Sequence, residues 1–228
     1  MFYKYLTKEH LEQFRSKGTI AIGNIELYRE IENTAICDPF EGRTVYSIET
    51  ENEVVELSVE QVNAITNDYH ITANLRVGQY SYFRDSLKVP NAYAFSVSCK
   101  LDEQLMPILG YDAFYIITDF KPFMKIIYAE LNRRQELIFS VADRVRYAQT
   151  KTFKITNANK DALIRTSPYN KSKSERIKTI YIEDYFTKLD KFRHEDEFRF
   201  IFIPATPISK QLVLLDCKDL LCYCGFGK

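Results

Sequence analysis

Short alternating segments dominate this chain. "FYKYL" (2–6) and "TIAIG" (19–23) alternate as strands do, and between them Thr7 is placed to cap a helix running to about Lys17 and closed by Gly18. "IELYREIEN" (25–33) fits a helix or an extended segment, and "CDPFEGR" (37–43) is a turn punctuated by Pro39 and Gly42. "RTVYSIE" (43–49) and "EVVELSV" (53–59) read as two acidic strands forming a hairpin across "TEN". "YHITANLRV" (69–77) and "AYAFSVSCK" (92–100) are stronger strands, and the composition of "AFYIITDF" (113–120) predicts burial on both faces. Asp119 is placed to cap a helix in which Phe123, Met124, Ile127, Tyr128 and Leu131 recur at helical spacing.

"LIFSV" (137–141), "VRYAQ" (145–149) and "QLVLLD" (211–216) complete the strands, and "IYIEDYFTKLD" (180–190) reads as a helix. From Thr150 to Lys178 the alternation fails. Lys151, Lys154, Lys160, Arg165, Lys171, Lys173, Arg176 and Lys178 face only Asp161 and Glu175, among many Ser, Thr and Asn. That composition predicts a solvated excursion whose removal costs little stability. The inventory is α+β: a mixed, mostly antiparallel sheet with three to four helices. Residues 1–228 then form one domain carrying a basic polar excursion at about 150–178.

Charge changes this picture little. Lys plus Arg equals Asp plus Glu, 31 against 31, so no net field recruits nucleic acid or membrane. Tyr and Phe, 16 each, without a single Trp and with few Gly or Pro, favour a packed sheet-rich fold over disorder. The opening "MFYKYLTKEH" lacks an apolar signal-peptide core, and no run approaches the ~20 apolar residues of a membrane span, so a cytoplasmic protein is expected. The five cysteines are odd in number and lack framework spacing, which predicts free thiols. Neither they nor the scattered histidines make a zinc pattern.

The stretch that demands an explanation is "KFRHEDEFRFIFIP" (191–204), where clustered charge runs straight into an apolar strand. Charge beside a core is costly unless it is paired or used. Alternation places Glu195, Glu197 and Arg199 on one face and Asp196, Phe198 and Phe200 on the other. A cleft wall or a solvated edge with an internal ion pair would both produce this pattern. A second cluster gathers Arg29, Glu30, Glu32, Asp38, Glu41 and Arg43 around the "DPFE" turn, and its charges are expected to meet Glu197 and Arg199 in space. In "YAFSVSCK" Ser96 and Ser98 share a face and can orient a carboxylate or bind a ligand. The basic stretch, interleaved with Phe153, Tyr169 and Tyr181, has the residue types of a nucleic-acid surface, although a solvated loop explains them as well.

"YKYL" near the start, "DPFEGR" at 38–43, "AFSVSC" at 94–99, "AFYIITDF" at 113–120 and "EDEFRFIF" at 195–202 occur in an order that resembles the bacterial family known as domain of unknown function 2971. Members typically show an Asn-Asp-Pro-Phe-Glu turn, a Cys-Phe-Ser strand and a late Glu-x-Glu-Tyr-Arg strand. Here Cys37 replaces the Asn, Phe95-Ser96 has no Cys before it, Phe198 replaces the Tyr, and a Trp-Ser-His-Tyr-like segment is missing. The order also resembles, more distantly, ADP-ribosyltransferases, with an Arg or His on a first strand, a Ser- or Tyr-bearing middle strand and a late Glu-x-Glu strand on a split sheet. Tyr3-Lys4-Tyr5, Ser96-x-Ser98 and Glu195-x-Glu197 fall in those places, with Lys4 standing where the family has Arg or His.

That resemblance implies NAD as cofactor, Glu197 as the catalytic carboxylate, Glu195 positioning the acceptor and Ser96 steadying Glu197. It further implies NAD-binding roles for Lys4, Tyr5, Arg29, Ser98 and Arg199, with Arg29 or Lys4 holding the pyrophosphate. The resulting expectation is an NAD-dependent transferase of bacterial or phage origin, acting in phage–host conflict on a macromolecular acceptor, protein or nucleic acid. Two rivals are a non-catalytic binding module built on a structural ion-pair network, and a Mg-dependent nucleic-acid enzyme using clustered carboxylates.

Overall fold

The computed structural model describes residues 1–30, 37–50, 53–65, 73–161, 182–209 and 211–226. In chain order the elements begin with β1 (Phe2–Leu6), α1 (Lys8–Lys17), β2 (Thr19–Asn24), α2 (Ile25–Tyr28), β3 (Arg43–Glu49), β4 (Val55–Leu57) and α3 (Val59–Ile65). They continue with β5 (Leu75–Val77), β6 (Tyr82–Lys88), β7 (Tyr93–Ser98), α4 (Leu105–Ile108), β8 (Ala113–Ile117), α5 (Phe120–Arg134), β9 (Leu137–Arg144), β10 (Arg146–Ala148) and β11 (Thr152–Lys154). After them come α6 (Ile182–Tyr185), β12 (Thr187–Leu189), a 3₁₀ segment Asp190–Glu195, β13 (Glu197–Pro204), β14 (Val213–Asp216), a 3₁₀ segment Lys218–Tyr223 and β15 (Cys224–Phe226). The class is α+β with a large, mostly antiparallel sheet. No helix among the described residues is long and apolar enough to cross a membrane, which does not bear on membrane barrels made of strands.

The single domain expected from the sequence divides into two compact units. One comprises Met1–Glu41, Asn91–Tyr147 and Lys188–Lys228; the other comprises Gly42–Pro90 and Ala148–Thr187. In the second unit β3 pairs antiparallel with β6 and parallel with β11, while β4 pairs with β5. The expected hairpin between residues 43–49 and 53–59 therefore does not form. Alternation identifies a strand and its buried face but not its partner, and β6, whose charged "YFRDSLK" hides its strand character, takes that place. Ile48, Val55, Leu57, Val62, Val77 and Ile155 make this unit's core. The start of the basic stretch is thus structural: β11 lies in the sheet, Ile155 is 1% exposed, and Lys151 is buried with its Nζ donating to the Thr187 carbonyl. Residues 162–178 of the expected excursion lie outside the described residues, as do 31–36 in the second charged cluster and 69–72 in the "YHIT" strand.

In the first unit the sheet is built on β7. One edge of β7 pairs with β13 along its length, from Glu197 opposite Ser98 to Phe202 opposite Tyr93. The other edge is shared: β2 pairs at Tyr93 and Ala94, and β1 at Ser98. Beyond β13 lies β9, and beyond β1 lie β8 and then β15. One sheet face is apolar and packs on α1 and α5 through Phe14, Phe95, Tyr115, Phe123, Ile127 and Phe200. These rings interlock, with Phe14 and Tyr115 stacked at 4.3 Å and Phe120 against Phe200 at 4.4 Å. The β8 strand, expected to be buried on both faces, alternates buried and half-buried positions: Ala113, Tyr115 and Ile117 are buried, while Phe114 on the other face is only partly covered by Tyr5, Leu105 and Leu109.

Helix α1 follows its local signals. Thr7 Oγ1 accepts from the His10 backbone N–H, and Gly18 takes a left-handed conformation at φ 69° while its N–H closes onto Phe14. A Cβ at Gly18 would lie 2.3 Å from the Cys217 carbonyl oxygen, so glycine is required twice over. Asp119 stands at the start of α5 as expected but makes no side-chain cap.

Candidate functional site

The charged entrance of β13 sits on the sheet face opposite the main core. Register places Glu197 beside Ser98 and Arg199 beside Ser96, so all four side chains share that face. Glu195 departs from the expected alternation. It ends the 3₁₀ segment, and Asp196 at φ 42° turns the chain into the strand. Asp and Asn accept the left-handed region more readily than most residues. The turn still leaves Glu195 on the side of Glu197, because both carboxylates reach the same cation, Lys188.

The expected meeting of charges is found within this unit. Arg199, 2% exposed, donates from Nε to Glu197 Oε1 at 2.7 Å and from Nη1 to Glu41 Oε1 at 2.5 Å. Lys188 Nζ lies 2.7 Å from Glu195 Oε2 and 2.9 Å from Glu197 Oε2. The "DPFE" turn presents Glu41: Asp38 Oδ1 accepts the Phe40 N–H, and the Glu41 N–H closes onto the Asp38 carbonyl. Arg29 Nε then fastens the Glu41 carbonyl at 2.6 Å. Two cations and two carboxylates are thereby buried together, with the half-buried Glu195 at the end of the hydrogen-bonded chain, the condition under which buried charge is tolerated.

These groups border a cleft of about 110 Å³. Lys4, Ser96, Glu195 and Glu197 line it with Tyr3, Tyr5, Tyr28 and Tyr111. Its opening comes from the shared edge of β7. Between the pairing with β2 at Ala94 and with β1 at Ser98, the Ser96 carbonyl is met by Lys4 Nζ at 2.8 Å. Alternation sends Lys4 off β1 away from Tyr3 and Tyr5, along the Phe95 ring at 4.7 Å, and its amine ends in this gap.

Burial lifts the Glu195 carboxyl to about 7, the Glu197 charge adds to the rise, and Lys188 opposes it. Burial pulls the same way at Glu197 but is outweighed by Arg199, Lys188 and a hydrogen bond from Ser96, which hold it well below the usual carboxylate range. Burial depresses the Lys4 amine to about 8 against the pull of Glu197. At Lys188 the two glutamates overcome desolvation and hold the ammonium charged. Burial raises the Tyr28 and Tyr111 hydroxyls, so both are neutral donors. Glu195 Oε1 is buried without a hydrogen-bond partner. An amine that loses its proton readily and a carboxyl that keeps one thus share a small aromatic cleft. Groups shifted from their ordinary values in this way mark functional sites more often than chance, although ion networks also produce them.

Of the candidate residues, Glu195, Glu197, Ser96, Lys4, Tyr5 and Arg199 line the cleft. Ser98 lines it too, but its hydroxyl is engaged with the Lys100 and Glu195 carbonyls at 2.8 and 3.0 Å, a structural role rather than a ligand-binding one. The Tyr5 hydroxyl is likewise taken, donating to Lys100 O and accepting from the Asp102 N–H, which leaves its ring as wall. Arg29 is not part of the lining; its guanidinium braces Glu41, so the expected pyrophosphate role does not fit its place. Lys188, Tyr28 and Tyr111 were not singled out in the sequence. Lys188 had one signal, alternation in "TKL" immediately before the charged stretch, masked by the helical reading of residues 180–190. Among the described residues no group of His, Cys, Asp and Glu is arranged to hold a metal ion, and the cleft carboxylates are tied to Lys188 and Arg199.

Comparison with known proteins adds no relative: no family model, no curated protein and no solved structure matches this chain, so the resemblances rest on the residues quoted above.

Proposed function

We propose that this cleft binds the nicotinamide-ribose end of NAD and that the chain is an ADP-ribosyltransferase-like enzyme. The observation that carries the reading is the convergence of Lys4, Ser96 and Glu197. They come from three neighbouring strands, β1, β7 and β13, and line one cleft. When the glycosidic bond of NAD breaks, its electron pair leaves with nicotinamide and the ribose carbon becomes cationic. A carboxylate held ionised beside that carbon lowers the barrier. Glu197 has that property, and Tyr3, Tyr28 and Tyr111 offer faces for a flat pyridine ring. Lys4 then contacts ribose or the adjoining phosphate, and Glu195, with its unpartnered oxygen, faces the incoming acceptor.

Nicotinamide release from NAD tests this directly. Glu197→Gln keeps shape and loses charge, so turnover falls by ~10²–10³, reduced in so far as Arg199 and Lys188 already neutralise that charge. Absence of release from the wild-type chain with protein and nucleic-acid acceptors would remove the reading.

A second reading is favoured by one observation: both Glu197 oxygens are already bonded to Arg199 or Lys188. In a non-catalytic module the network would set the fold of a binding cleft, and Glu197→Gln would lower melting temperature with no NAD chemistry to lose.

A further inference from the structure

The Lys4 amine has a property that NAD cleavage does not use. Most lysines carry their ammonium into water; Lys4 brings its Nζ along the Phe95 ring into the gap between β1 and β2. There it donates a hydrogen bond to the Ser96 carbonyl. The cleft it reaches has room for several waters, or for a small organic molecule. Glu195 lines the same cleft, with one carboxylate oxygen on Lys188 and the other unpartnered.

We infer that Lys4 is a carbonyl-capturing amine, and that the cleft takes small aldehydes or ketones as a Schiff base on its Nζ with Glu195 as the acid. This rests on the cleft's geometry and not on the NAD reading. The neutral amine keeps one N–H on Ser96 O and offers its lone pair to the carbonyl carbon. The C–N bond forms as the carbonyl π pair moves to oxygen, and a proton passes from nitrogen to that oxygen to give the carbinolamine. The C–O bond then breaks as Glu195 gives its proton to the leaving hydroxyl, releasing water and leaving an iminium beside the Glu195 carboxylate. No oxidant or reductant is consumed. The step needs a free amine and a protonated acid at one pH. An amine near 8 and a carboxyl near 7 coexist in those forms around neutrality. An ordinary lysine at ~10.4 has roughly two hundredfold less free amine at the same pH.

The experiment uses the full chain with limiting propanal and cyanoborohydride at neutral pH, which reduces the imine to a stable secondary amine read by peptide mass spectrometry. Lys4 should be propylated at least tenfold faster than the exposed Lys8, and competing acetone should slow Lys4 selectively. Glu195→Gln should slow Lys4 labelling several-fold without abolishing it. Lys4 labelled no faster than Lys8 in wild-type protein, which needs no variant to fold, would overturn the inference. An unchanged rate in Glu195→Gln, with the circular dichroism of wild type, would overturn the acid's part in it. Nicotinamide release measured on the same samples separates the two ideas, since either chemistry can be present without the other.

Discussion

At the start of β13, Arg199 lies between Glu197 and Glu41 with all three side chains 2–4% exposed, while on α5 Glu130 meets Arg133 and Arg134 with the arginines 71% and 41% exposed. The two groups have the same chemistry and similar distances, 2.5–3.1 Å for the hydrogen-bonded contacts quoted. Their consequences differ because water is present at one and absent at the other. On α5 the charges are solvated before they pair, and each pair contributes at most about 1 kcal/mol. At β13 desolvation of each ion costs several kcal/mol, and only the complete network offsets it. Removing one member on α5 returns a charge to water. Removing one at β13 strands its partners in the interior.

The largest effect should follow Arg199→Met. Glu41 and Glu197 then lose their shared guanidinium, and urea unfolding at neutral pH should register a loss of about 3–5 kcal/mol. A loss below ~1 kcal/mol would mean the two sites do not differ in kind. Arg199→Lys should restore only part, since a point charge cannot serve two carboxylates with fixed forked geometry.

Next comes Glu197→Gln, for which we expect a loss of about 1–3 kcal/mol, the scale of a buried group losing its partner. Lys188 keeps Glu195, and Arg199 keeps Glu41, so the damage is smaller. An unchanged melting temperature would place Glu197 outside the structural network.

The pH profile sharpens the comparison from another side. Glu195 is raised from 4.5 to about 7, so the folded state holds its proton more tightly than the unfolded chain does. Its contribution is full below pH 4.5 and is lost as pH rises to 7. Glu197 is lowered, so its contribution is present above 4.5 and is lost as pH falls. The two oppose one another, and Glu195→Gln should remove the decline between pH 4.5 and 7 while leaving acid unfolding in place. A profile identical to wild type would show that Glu195 titrates normally.

The smallest change belongs to Glu130→Gln, below ~1 kcal/mol and diminished further by 0.5 M salt, which screens exposed pairs. A larger loss, insensitive to salt, would erase the distinction between the two networks.

Much of the local architecture was legible in the chain. Thr7 and Gly18 bound α1, the apolar spacing of Phe123, Met124, Ile127 and Leu131 describes the buried face of α5, and β1, β2, β7 and β14 follow their alternation. Each depends on interactions within a few residues, which local sequence encodes. The charge anomaly at residues 195–199 was visible too, and burial of unpaired charge is costly enough to demand partners, so the meeting of "DPFE" with Glu197 and Arg199 could be expected. Pairing was less legible: β3 chose β6 over β4, and Glu195 reached the cleft through a turn at Asp196 rather than by strand alternation.

What the sequence alone determined, then, is the set of elements, their buried faces and the requirement that Glu41, Glu197 and Arg199 find one another. Only the tertiary structure decided that β1 and β2 divide one edge of β7, that Lys4 reaches into the resulting gap, and that Lys188 joins two carboxylates. Those outcomes depend on contacts between residues far apart in the chain, 92 positions in the case of Lys4 and Ser96. A local pattern records which groups must be buried or paired, while the choice of partner follows from packing across strands whose order it does not encode.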